Sequence, residues 1–193
     1  MANKIKYGLK NVHYAIATIG DDGTATYDTP VAWPGAVNLS MDAEDEEIRF
    51  NADDTIYYGG YANNGYTGDF ESALIPESFR TSVLGEISNG DLKIETTDNS
   101  DVHFALLFEF QGDENATRHC FYNCTASRPS VEGATKEESV EPQTETISLT
   151  ATSIYNEPTT RNLVKARCVD ATSATYTDWF TAVHQPVSSP VTA

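Results

Sequence analysis

The chain has 193 residues, 39% of them apolar, 21% charged and 10% aromatic; this suits one domain with a real core and excludes disorder throughout. Twelve Lys and Arg against 29 Asp and Glu give a net charge of −17. Such a body excludes sequence-reading contact with nucleic acid, whose affinity rests on cations neutralising phosphates. The longest apolar run, Phe104-Ala-Leu-Leu-Phe108, is far short of the about 20 residues of a membrane helix. No apolar stretch of roughly 7–15 residues follows Lys4 and Lys6, so no secretory leader is expected. The charge is split: residues 1–10 hold Lys4, Lys6 and Lys10 and no acid, whereas residues 11–101 hold 18 acids and 3 bases.

The dominant period is two, that of strands. Residues 11–19 read as a strand closed by Asp21-Asp-Gly23, with 24–27 returning. Residues 36–41 place Val37, Leu39 and Met41 on one side, with Asn38, Ser40 and Asp42 opposite. Asp42-Ala-Glu-Asp-Glu-Glu47 reads as a solvated turn, since a calcium loop needs a central glycine that is missing here. Residues 46–51 then put Ile48 and Phe50 inward, and Glu47, Arg49 and Asn51 outward. Residues 53–66 hold Gly59-Gly60, Asn63-Asn-Gly65 and the tyrosines Tyr57, Tyr58, Tyr61 and Tyr66. They read as a long hairpin loop built for contact, because tyrosine gives amphipathic area at low entropic cost.

Residues 67–75 alternate Phe70, Ser72 and Leu74 against Thr67, Asp69 and Glu71. Asp69 and Glu71 resemble a catalytic carboxylate pair but have no third group within sequence reach, so an exposed acidic face is expected. Pro76 and Glu77 open a helix, Phe79 and Val83 share its buried side, and Gly85 ends it. A strand at 92–96 follows the turn Ser88-Asn-Gly-Asp91. In 102–110, Val102, Phe104, Leu106, Phe108 and Phe110 face one way, and His103, Ala105, Leu107 and Glu109 the other: a strand covered on both sides. Residues 118–126 alternate Cys120, Tyr122, Cys124 and Ala126 on one face. Residues 145–155 set Ile147, Leu149 and Ala151 against Thr146, Ser148 and Thr150, and 163–169 is a further strand. Residues 128–143 read as a loop. Tyr176, Trp179, Phe180 and Val183 fall at helical spacing, an amphipathic helix or arm, with a flexible tail at 184–193.

Cys120 and Cys124, four apart in a strand, stand ~13 Å from each other and cannot bridge, so reduced core thiols are expected. His13, His103, His119 and His184 show no metal-ligand spacing, and no catalytic motif occurs. The expectation is no enzyme, no cofactor and no metal. The expected fold is mainly β: a two-sheet β-sandwich or partial barrel, one domain over 1–193, with one flanking α-helix, a long hairpin loop and terminal arms.

Several segments together resemble one family. Lys4-Ile-Lys-Tyr-Gly-Leu-Lys-Asn-Val-His-Tyr14 is similar to the start of the major tail protein, or tail tube protein, of long-tailed non-contractile phages and Gram-positive prophages. Ala32-Trp-Pro-Gly-Ala36 resembles its first entry from loop to strand. Gly65-Tyr-Thr-Gly-Asp-Phe-Glu-Ser-Ala-Leu-Ile-Pro-Glu-Ser-Phe79 with Leu84-Gly85, then Phe108-Glu-Phe-Gln-Gly-Asp113, Arg118-His-Cys-Phe-Tyr-Asn-Cys-Thr125 and Arg128-Pro129, continue the match in order over most of residues 4–183.

The resemblance implies a structural virion protein of the siphovirus tail, assembled in the bacterial host cytoplasm. It implies a homohexamer whose rings stack into a hollow tube, each subunit giving strands to an inner barrel that closes sheet edges. The implied partners are further copies of the chain and the tail tip and tail terminator proteins. The tape-measure protein and DNA would pass through the lumen without specific binding, and no membrane is involved. A lumen rich in carboxylates lets DNA slide. The alternating faces offer Asp42, Glu47, Arg49, Asp69, Glu71, Thr146, Ser148 and Thr150 as lumen-facing candidates. Lys4, Lys6, Tyr57, Tyr58, Tyr61, Tyr66, Trp179 and Phe180 are ring-stacking candidates. Other readings of the same pattern are an immunoglobulin-like capsid decoration or adhesin binding module, and a DNA mimic, for which the Thr-rich strand at 145–155 is a poor fit.

Overall fold

The computed structural model describes residues 5, 7–98, 101–112, 116–131, 133, 135 and 143–187. Strands β1 (Leu9–Ile19), β2 (Ala25–Tyr27) and β3 (Val31–Ala32) lead into a long hairpin of β4 (Ala36–Ala52) and β5 (Thr55–Ser72). Helix α1 (Glu77–Ser82) and a small hairpin, β6 (Ile87–Asn89) with β7 (Leu92–Ile94), follow. Then come β8 (His103–Phe110), β9 (Arg118–Ala126), β10 (Glu145–Thr152), β11 (Ile154–Asn156), β12 (Arg161–Leu163), β13 (Lys165–Cys168) and the short helix α2 (Ala174–Thr177). The main antiparallel sheet runs β2-β1-β8-β9-β10-β5-β4, with β3 beside β1 and β13 beside β9. The expected mainly-β fold is therefore what the chain adopts.

The sheet curls around one core. Tyr14 of β1 and Phe70 of β5 both meet the Trp33 ring edge-on, at 5.9 and 4.9 Å, although β8, β9 and β10 lie between their strands in the sheet. Only a strongly bent sheet, a partial barrel, brings those two strands to one indole. The buried Trp33 donates its Nε1–H to Ser72 Oγ at 3.0 Å, which satisfies the polar end of the ring. Helix α1 closes the open side: Phe79 is fully buried, edge-on to Tyr14 at 5.0 Å and to Phe104 at 5.2 Å. The helix begins after Pro76 and stops before Gly85, whose φ of +76° suits a residue without Cβ.

A second apolar layer lies on the reverse of β1, β8 and β9. Ala15, Ala105, Leu107, Cys120 and Tyr122 pack there against Ala25, Ile154 and Trp179. Strand β8 is thus buried on both faces, as its double apolar alternation predicts.

Three expectations are corrected. First, 36–41 and 46–51 are one strand, β4, and the acidic run lies inside it. Second, 53–66 is not a loop: only Asp53 and Asp54 turn, with φ of +51° and +58°, and β5 runs back from Thr55. Third, Cys124 leaves the face of Cys120 and Tyr122. Phe104 pairs with Cys124 but Leu106 with Phe121, so β9 holds one extra residue there. That bulge turns Cys124 into the main core while Cys120 stays in the rear layer. The thiols are all free, as expected.

Candidate functional site

A polar surface spans β4, β5 and β10. Directly opposed residues of a sheet share a face, so the register assembles three rows. Asn38, Glu71 and Thr146 form one; Ser40, Asp69 and Ser148 the next; Asp42, Thr67 and Thr150 the third, extended on β9 by Thr125. Of the lumen-facing candidates, Asp42, Asp69, Glu71, Thr146, Ser148 and Thr150 therefore stand together.

Hydroxyls hold the carboxylates across the strands. Ser148 Oγ donates to Asp69 Oδ1 at 2.8 Å and Thr144 Oγ1 to Glu71 Oε1 at 2.6 Å. Thr67 Oγ1 donates to Glu44 Oε1, which brings Glu44 into the set although it reads as turn in the sequence. None of the row positions is a lysine or arginine. The row positions are anionic or neutral polar, with no apolar side chain and no cation for a phosphate. Among the described residues, no three or more His, Cys, Asp or Glu side chains are grouped to hold a metal ion.

Glu47 and Arg49 do not join this face. They lie an odd number of residues beyond Asp42, and the extra residue at the Ala43–Asp45 irregularity belongs to β5. A period of two then turns them to the opposite side. There Arg49 Nε meets Glu47 Oε1 at 2.6 Å, so the one cation among the lumen candidates is neutralised by its neighbour.

The ring-stacking candidates divide as well. Strand β10 pairs with β5 no farther than Tyr66, and beyond it β4 and β5 pair only with each other, from Asp45–Asn63 to Ala52–Thr55. This free ribbon exposes Tyr57, Tyr58 and Tyr61, together with Ile48, Phe50 and Ile56, at 45–75% of their surface. Tyr66 instead belongs to the body: it is half-buried, 5.2 Å from the Phe121 ring and under Lys165 Nζ at 4.3 Å. Trp179 is buried in the rear layer, its Nε1–H donating to the His119 carbonyl at 3.3 Å. Phe180 stacks on His13 at 4.8 Å. Both aromatic groups are spent inside the subunit, so they are withdrawn as stacking contacts. Lys4 and Lys6 lie outside the described residues.

The outer edge of β4 has no strand partner among the described residues. No helix among them is long and apolar enough to cross a membrane. Comparison with protein-family models and with curated sequences returns no match.

Proposed function

We propose that this chain is a structural subunit of a tube: a tail-tube protein whose copies close into rings, with the hydroxyl–carboxylate face lining the lumen through which DNA passes. The observation that carries the reading is the coincidence of that face with an open sheet edge. Asp42, Glu44, Asp69 and Glu71 stand together on rows that hold no lysine or arginine, and β4, 17 residues long and paired with β5 on one side, has no strand partner on its outer edge among the described residues. An edge of that length invites strand pairing, and pairing around a ring removes it. A ring so closed carries the acidic rows on one continuous barrel wall. The exposed ribbon supplies contact between copies.

Negative-stain electron microscopy of the purified chain across a concentration series tests the proposal. Rings or hollow tubes are the expected result. Monomers at every concentration, also after addition of a tail-tip complex, reject it and favour a monomeric binding module that uses the ribbon on another ligand.

A further inference from the structure

A groove opens where β10 and β13 part company along β9. Residues 123–126 of β9 pair with β10, whereas 118–121 pair with β13, so the curled sheet is split between them. Leu39, Met41, Tyr66, Phe108, Phe110 and Phe121 line the resulting cavity, about 200 Å³ in volume. Lys165 stands on its wall. Arg167, two residues on, shares that face of β13 opposite His119, another lining residue. In a chain of net charge −17, neither Lys165 nor Arg167 has an ion-pair partner among the described residues.

We propose that this groove receives the free β4–β5 ribbon of a second copy of the chain. The chemistry of the two surfaces is complementary. One face of the ribbon carries Ile48, Phe50 and Tyr58 in register, with Glu46 at its base, and Asp53-Asp54 forms the tip. The groove offers an apolar floor and, at its rim, two cations without an ion-pair partner among the described residues. A two-stranded ribbon with apolar residues exposed is marginal alone in water, and seating it buries them. The ribbon cannot fill its own groove: it springs from Met41 and Tyr66, which are walls of that groove, and folding back would break the β4–β5 pairs. Donor and acceptor are thus different surfaces on different copies. Such a contact repeats into a ring or a filament unless two copies exchange ribbons reciprocally and close as a dimer.

This inference rests on the self-assembly part of the tube reading, not on passage of DNA. The test is sedimentation velocity of the full chain over a concentration series, with variants on both sides. Lys165, Arg167, Glu46, Phe50 and Tyr58 are all exposed, so changing them spares the core. Lys165→Glu with Arg167→Glu, and separately Phe50→Ser with Tyr58→Ser, are expected to raise the concentration for half-assembly about 10-fold or more. Adding Glu46→Lys to the groove double variant is expected to recover part of the loss, which a merely structural role would not do. If wild type assembles and the groove variants assemble equally well, the groove assignment falls and the tube reading stands. If wild type stays monomeric to about 1 mM, a very weak contact on any scale, the groove assignment also falls. The tube reading is then judged by microscopy with the tail-tip complex.

Discussion

Arg118 holds Glu109 across the β8–β9 ladder, Nε to Oε2 at 3.0 Å, and lays the same guanidinium 3.8 Å from the centre of the Tyr176 ring. Glu109 is 4% exposed, and Lys10 Nζ and Asn11 Nδ2 complete its shell at 3.2 and 2.6 Å. Arg118 is thus one of two cations on a buried acid, and it also clamps the C-terminal segment to the sheet. Removing Arg118 leaves buried Glu109 with only Asn11 and the half-exposed Lys10, both on Oε1, and frees the Tyr176 segment, so the loss exceeds that at an exposed pair. Arg118→Ala is expected to lower unfolding stability by about 3 kcal/mol, whereas Arg49→Ala, at an exposed pair, stays within about 1 kcal/mol. Urea denaturation of the two variants checks the contrast; equal effects would remove the clamp argument.

The buried thiols and phenols make the fold sensitive to alkali. Burial pushes the Cys124 thiol up from 9.0 to about 12 and raises Cys120 as well. Burial also raises Tyr27 and Tyr122. These groups stay neutral in the folded chain while the unfolded chain ionises. Their contribution is whole below about pH 9 and is lost as pH climbs toward 12. For Cys124 alone the slope is about 1.4 kcal/mol per pH unit in that window. The urea midpoint is expected to fall between about pH 9 and 11, and Cys124→Ala to flatten the fall. Alkylation at neutral pH should modify only the half-buried Cys168 until the chain unfolds.

The strands were legible because burial imposes a period of two on sequence, and β8 announced both its layers through Phe104, Phe108, Ala105 and Leu107. What stayed hidden were an inserted residue and the continuity of a strand. One extra residue in β9 reverses Cys124 without changing composition, and an acidic run that resembles a turn hides the continuity of β4, which sets Asp42 and Glu47, five residues apart, on opposite sides. Gly65 was the available signal of the irregularity in β5: its φ is +104°, and a Cβ there would stand 2.1 Å from the Ala151 carbonyl oxygen. The ribbon reads as a loop in the sequence because no core lies beneath it to enforce alternation, so its glycines and asparagines dominate the pattern. Trp179 shows the converse limit. Helical spacing reveals an apolar side but not whether its partner is the same chain or another.

Asp53 and Asp54 both turn with positive φ, the geometry of a two-residue hairpin turn in which glycine is favoured at the second position. A left-handed aspartate carries a steric cost of about 1 kcal/mol that glycine avoids. Asp54→Gly is expected to slow amide exchange in the ribbon several-fold and to leave the melting temperature almost unchanged. The reason is that the ribbon opens apart from the core. A shift in melting temperature with no change in ribbon exchange would show that the turn is coupled to the whole fold.

On the tube proposal, the charge of the polar face is open to direct test in virions. Asp69 and Glu71 point away from the core, and their hydroxyl partners Ser148 and Thr144 are exposed. Replacing both acids with lysine costs about 1 kcal/mol per lost hydrogen bond, which assembly can absorb. If the face lines the lumen, every ring then presents ammonium groups to passing DNA, and ejection is expected to slow. A structural defect would slow ejection at any ionic strength. An electrostatic brake is released by salt, because each lysine–phosphate contact weakens as counterions compete. Asp69→Asn with Glu71→Gln separates loss of repulsion from gain of attraction and should eject at nearly the wild-type rate at high salt. Lysine-bearing particles that eject normally at low salt would place this face outside the channel.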